Sequence, residues 1–272
     1  MKRILLLGAA IAAGSLCFSA EEEPSRSADG LKVLMIGNSF SISCLGHLPA
    51  VAKAYGHRLD LASLYIGGCS LERHWNNVVA ASTNATFKPY RFDRFVDGRC
   101  VVEKGAANIP DALAMDKWDV VTVQQASHFS WNPDTYQPFG DNLVGYVREK
   151  APHAEVRVQQ TWAYRADDPR LLPGGEWGFD QTGMPERLTA AYRAFAAPIG
   201  AEIIPTGEAV RLSRERETRP FHAATPEEIA ACRWPDLPPD SGDVVGRAYW
   251  RKNAEGRLVV VFDHIHLNRR GE

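Results

Sequence analysis

Apolar and polar positions along this chain alternate between two rhythms, short continuous apolar runs and longer stretches at helical spacing. Residues 32–36 (KVLMI) form such a run and end in Gly37-Asn38-Ser39, the pattern of a buried parallel strand and its turn. Residues 45–55 carry apolar positions at helical spacing and stop near Gly56, which predicts a helix. Residues 58–64 alternate as a second strand leading into Ile66-Gly67-Gly68, and residues 71–81 suit a helix with Ser70 as its cap. The same reading gives strands at 118–123 (WDVVTV), 155–160 and 201–204, and helices at 134–150, 185–197 and 207–214.

Other stretches break the alternation. Around Asp97-Gly98, residues 83–105 read as an inserted β-hairpin, and a short helix follows at 111–115. Residues 165–183, rich in Pro, Gly and Asp, read as a long surface loop, and the proline-rich 218–242 as an irregular excursion. A final hairpin, 248–250 with 258–262, leads into Asp263-His264-Ile265-His266. Strands that alternate with helices imply an α/β fold, a flavodoxin-like three-layer α/β/α arrangement with a mostly parallel sheet plus inserted β-hairpins.

The first residues belong to a different kind of segment. Met1-Lys2-Arg3, an apolar run to Ala13, small residues to Ala20 and then Glu21-Glu22-Glu23 have the layout of a secretory signal peptide over 1–20. Residues 21–30 read as a flexible leader and 31–272 as the domain, which places the mature protein in the periplasm or outside the cell. No later run approaches a membrane span, so no stable insertion is expected after cleavage. The formal net charge of −2 gives no support to a nucleic-acid partner. In an oxidising compartment Cys44, Cys69, Cys100 and Cys232 are open to one or two disulfides, in any pairing.

Ligands of open parallel sheets gather at the carboxyl ends of strands. Ser39, Gly67-Gly68 and Gln124-Gln125 through Ser127-His128 stand at such ends. A serine becomes a nucleophile when a base takes its proton and a third group orients the base. Asp263 and His266, three residues apart, can supply both roles. Backbone N–H groups of a glycine turn suit a developing oxyanion. A metal-dependent hydrolase is an alternative: Asp263, His264 and His266, with His128 or His222, are ligand types.

Read together, the blocks resemble the SGNH/GDSL hydrolase superfamily, and in particular a bacterial branch catalogued as a domain of unknown function. VLMIGNSFS (33–41) is similar to the first block, YIGGCSLERHW (65–75) to the second and FDHIHLNRRG (262–271) to the last. WDVVTVQQAS (118–127) matches the third in position but lacks its Gly-x-Asn. The resemblance implies a serine esterase, with Ser39, Asp263 and His266 catalytic and Ser39 and Gly68 N–H groups binding the oxyanion. Gln125 would stand in for the missing asparagine, with Gln124 and Ser127 as rivals. No metal or cofactor is implied, and the substrate would be a small-molecule or carbohydrate ester. Asn38 reads chiefly as a turn-shaping residue, and His74 and Trp75 as packing or substrate-wall residues. Loop aromatics, Trp131 and Trp162 foremost with Tyr164 and Trp177, suit stacking on sugar rings. Relatives continue past the last block into a closing helix, which residues 31–272 would lack. The altered third block keeps open a second alternative, a carbohydrate-binding protein on the same fold with impaired catalysis.

Overall fold

The computed structural model describes residues 30–97 and 99–271; the segments read as signal peptide and most of the leader lie outside them. Seven strands form one sheet: β1 (Leu31–Gly37), β2 (Leu59–Tyr65), β3 (Tyr90–Val96), β4 (Arg99–Ala107), β5 (Val120–Val123), β6 (Glu155–Gln159) and β7 (Glu202–Ile204). Their spatial order is β4-β3-β2-β1-β5-β6-β7. Pairs from β2 across to β7 are parallel, and β3 and β4 add an antiparallel edge. The hairpin read at 83–105 thus prolongs the main sheet. β8 (Val245–Lys252) and β9 (Leu258–Leu267) make a separate antiparallel pair.

Alternation along β1 shows why both faces are covered. Leu34 and Ile36 enter the main core, shared with Leu71 and Val78 of helix α3 (Leu71–Thr83) and Leu113 of α4 (Ile109–Ala114). Leu143 and Val147 of α5 (Phe139–Lys150) belong to the same core. Met35 joins a second cluster with Leu45, Leu59 and Leu61, beside α1 (Ser39–Leu45) and α2 (Leu48–Ala54). Each fully buried large apolar side chain contributes about 1.5–3 kcal/mol. Helices α6 (Met184–Ala196), α7 (Thr206–Arg216) and α8 (Pro226–Ala231) complete the layers and the excursion before β8. Among the described residues no helix is long and apolar enough to cross a membrane.

Three elements differ from the sequence reading, each for a local reason. The helix read over 45–55 is two helices: α1 starts at Ser39, and a break at Gly46-His47 precedes Pro49 in the first turn of α2. The helix read from 134 is a 3-10 turn, Pro133–Thr135, followed by α5, with Pro138 at the N-cap of α5. Within 218–242, α8 forms behind a capping box in which the Thr225 side chain accepts from Glu228 N and the Glu228 carboxylate from Thr225 N. The four described cysteines are free thiols.

Candidate active site

The centre of the site is the turn after β1. Asn38 caps α1, its Oδ1 accepting from Phe40 N at 3.1 Å. Its Nδ2 donates to Cys69 O (3.2 Å) and Gln125 O (3.1 Å), so one buried amide ties together the turns after β1, β2 and β5. Asn38 is the turn-shaping residue expected. These bonds place Ser39, Gly68 and the segment after β5 at one end of the sheet. Ser39 is half-buried at the first position of α1, and Gly68 is exposed in the left-handed region at φ 60°, where a side chain would be strained.

β9 reaches the same end by an aromatic bracket. Phe40, next to Ser39, stacks on Trp162 with centroids 4.1 Å apart and lies 5.9 Å from the His266 ring. Trp162 Nε1 donates to Ile265 O at 2.8 Å, and Arg165 N to His264 O at 2.8 Å. Within the irregular Asp263–His266 part of β9, Asp263 Oδ1 accepts from the N–H groups of Ile265 and His266, and Oδ2 bonds His266 Nδ1 at 2.8 Å. Burial pushes the Asp263 carboxyl up, but the His266 hydrogen bonds and the Ile265 N–H outweigh it and hold it down to about 2. The carboxylate therefore fixes Nδ1 as the protonated nitrogen, leaving Nε2 as the base. No hydrogen bond among the described residues joins Ser39 Oγ to His266, and such bonds are often long before substrate binds.

Two readings require correction, the first in the segment after β5 and the second in the loop after β6. Gln125 is 1 % exposed, and both Nε2 protons are committed, to Thr135 O (2.9 Å) and Thr135 Oγ1 (3.2 Å). Its Oε1 accepts from Leu71 N (3.0 Å) and Ala126 N (2.8 Å). It is a structural clasp, with no donor left for an oxyanion. Of the two rivals named beside it, Ser127 Oγ bonds Tyr164 Oη at 2.7 Å, whereas Gln124 is fully buried with Oε1 accepting from Ser41 Oγ and Nε2 without a hydrogen-bond partner among the described residues. The second correction is Trp162, fully buried beneath Phe40, out of reach of a sugar ring. Trp131 is half-buried and packs with Trp177 and Phe179 in a loop cluster capped by Arg170 and Arg187. Tyr164 and His74 are buried core residues, His74 bonded to Tyr90 Oη at 2.9 Å.

One side chain not assigned to the oxyanion site by the sequence reading lies close to the glycine turn. A Cβ added at Gly68 would stand 3.9 Å from His128 Cε1. The His128 ring is half-buried against Phe129, and neither nitrogen has a hydrogen-bond partner among the described residues. Burial first, and Arg170 second, lower its proton affinity, so it is neutral at pH 7 and has one N–H to give. The stretch Gln125-Ala126-Ser127-His128 marked a strand end but not this neighbour, because Gly68 is sixty positions away in the chain.

The trio Asp263, His264 and His266 does not converge. His264 Nδ1 turns to Asp167 Oδ1 at 3.0 Å, whereas His266 turns to Asp263, and His222 bonds Glu228. Among the described residues no three His, Cys, Asp or Glu groups gather as a metal site.

The chain is similar to several solved structures. A crystal structure of a DUF4886 family protein from Bacteroides uniformis is 33% identical, with a TM-score of 0.59, over 68% of this chain and 70% of that one. A protein from Slackia heliotrinireducens, provisionally assigned as an SGNH hydrolase, is 22% identical with a TM-score of 0.46 over 72% and 88% of the two chains. The acetyl xylan esterase AlAXEase is 13% identical with a TM-score of 0.45, over 89% of this chain and 93% of that one. No curated protein matches the chain. The family described as a domain of unknown function (DUF4886) matches residues 32–218, which include Ser39, Gly68 and Gln125 and end before Asp263 and His266. With more than half of its length matched, the chain belongs to the DUF4886 family.

Proposed function

We propose that the protein is an exported serine esterase that removes an O-acyl group from a carbohydrate through an acyl-enzyme. The observation that carries this reading is the Asp263–His266 pair at 2.8 Å, held beside α1 by the Phe40–Trp162–Ile265 bracket. In the reaction Ser39 Oγ attacks the ester carbonyl while His266 Nε2 takes its proton. Collapse of the tetrahedral intermediate expels the alcohol, which receives that proton from His266. Water then repeats the sequence on the acyl-serine, releasing the acid. Asp263, ionised throughout, orients the imidazole and stabilises its charged form. The N–H groups of Ser39 and Gly68 face the developing oxyanion, and His128 supplies a further donor in the role the sequence suggested for Gln125.

Two features support the carbohydrate part: the half-buried loop aromatics Trp131, Trp177 and Phe179, and the export pattern of residues 1–20. The test is hydrolysis of p-nitrophenyl acetate and of an acetylated oligosaccharide by the mature protein and by Ser39→Ala, with folding followed by circular dichroism. Acid release by the wild type that vanishes in Ser39→Ala supports the esterase. Binding of the oligosaccharide without turnover by well-folded protein favours the alternative of a catalytically impaired carbohydrate-binding protein.

A further inference from the structure

A second concavity lies on the hairpin that carries the Asp263–His266 pair. A cavity of about 390 Å³ is bounded by the β8–β9 hairpin, the loop after β6 and the excursion before β8. Its volume falls within the range of small-ligand sites. Four arginines are among its lining residues, Arg165, Arg247, Arg269 and Arg270, with one acidic residue, Asp240. Two of the four are spoken for. Arg165 is buried and paired with Asp167 (2.6 Å), and Arg270 bonds Glu217, Asp240 and Gly242 O. Arg247 and Arg269 are exposed and have no ion pair or hydrogen bond among the described residues. The wall also offers apolar surface from Phe262 and Leu237, with the Arg165 guanidinium 5.5 Å over the Phe262 ring.

An excess of cationic forks around a partly apolar wall selects a ligand with an anionic group and a ring or hydrocarbon face. Guanidinium matches carboxylate, sulfate and phosphate oxygens in bidentate fashion. A purely neutral sugar would leave Arg247 and Arg269 unused. Arg165 and Arg270 are neutralised by their own carboxylates, so the uncompensated positive charge at the cavity is that of Arg247 and Arg269. Arg247 stands directly across the ladder from Asp263, so a chain seated in the cavity would run close to the strand segment bearing the candidate base.

We propose that this cavity is a binding site for an acidic saccharide, gripped by Arg247 and Arg269 through a carboxylate or sulfate group. The site acts by binding, so it stands or falls separately from the esterase chemistry. Calorimetric titration of the full mature chain with an oligogalacturonate, a sulfated galactan oligomer and a neutral cello-oligosaccharide tests it. At least one acidic oligomer binds, the neutral one binds far more weakly, and raised salt weakens the acidic complex. Which acidic oligomer binds identifies the source of the charge. In Arg247→Ala/Arg269→Ala the affinity falls by about tenfold to a hundredfold, as expected for lost charge-assisted hydrogen bonds. Both residues are exposed and unpaired, so the fold and p-nitrophenyl acetate turnover stay at the wild-type level. Ser39→Ala retains binding. Equal binding of the neutral oligomer, no binding of either acidic one, or acidic binding indifferent to the double variant overturns the proposal.

Discussion

Gln125→Met separates the two roles available to Gln125. Methionine keeps the volume of the side chain and removes all of its hydrogen bonds. Leu71 N and Ala126 N, both in buried bonds to Oε1, would lose their partner, and Thr135 O would lose Nε2. An orphaned buried donor costs about 1–3 kcal/mol, so the two N–H groups together cost about 2–6 kcal/mol. That is a large part of a typical domain's stability of about 5–15 kcal/mol. The expected result in urea unfolding is a lowered midpoint with the slope unchanged. Turnover of p-nitrophenyl acetate per folded molecule stays within a few-fold of wild type. The reasoning is refuted if the midpoint holds while kcat falls about a hundred- to a thousand-fold, the signature of a lost oxyanion donor.

Further expectations follow from the same geometry. His128→Ala, at a half-exposed and unpartnered side chain, should leave the unfolding midpoint in place and lower kcat about ten- to a thousand-fold; unchanged kcat would remove it from the site. Asp263→Asn keeps an acceptor for the Ile265 and His266 N–H groups but loses the charge, and should lower kcat by about 10³–10⁴-fold in steady-state assays. Because the Asp263 carboxyl is held down to about 2, its stabilising contribution is complete above the ordinary carboxylate range and is lost as pH falls toward 2. Acid unfolding of Asp263→Asn should therefore be less steep over that window than that of the wild type, and identical curves would contradict the strength of the pair. Because the candidate base pairs with a carboxylate in a site with no converging ligand set, esterase activity should survive exhaustive chelation; its loss and recovery on adding zinc would reverse that conclusion.

The parts of the fold visible in the sequence are those specified locally. β1 and β5 announce themselves as apolar runs and β2 as an alternating stretch before a glycine turn, and Ser70 caps α3 as read, its Oγ accepting from Arg73 N. The Asp263–His266 bond could be anticipated because the two groups are three residues apart in the chain. α8 was missed within the proline-rich 218–242, although Thr225-Pro-Glu-Glu228 carries a capping-box pattern. What could not be read is set by distant partners. Gln125 looks like a free amide until Leu71 and Thr135 close on it from other elements. Trp162 looks like a loop aromatic because its burial depends on Phe40, far earlier in the chain. The break at Gly46-His47 mattered as well, since it lets α1 begin at Ser39 and presents that residue at a helix start.

The central claim is that Ser39 is a nucleophile activated by His266. Its most direct measurement is peptide-resolved mass spectrometry after exposure of the folded protein to a fluorophosphonate. The account predicts one adduct, on Ser39, absent in Ser39→Ala and formed far more slowly in His266→Ala. Folded protein that takes up no label, or takes it up at another residue, would contradict it.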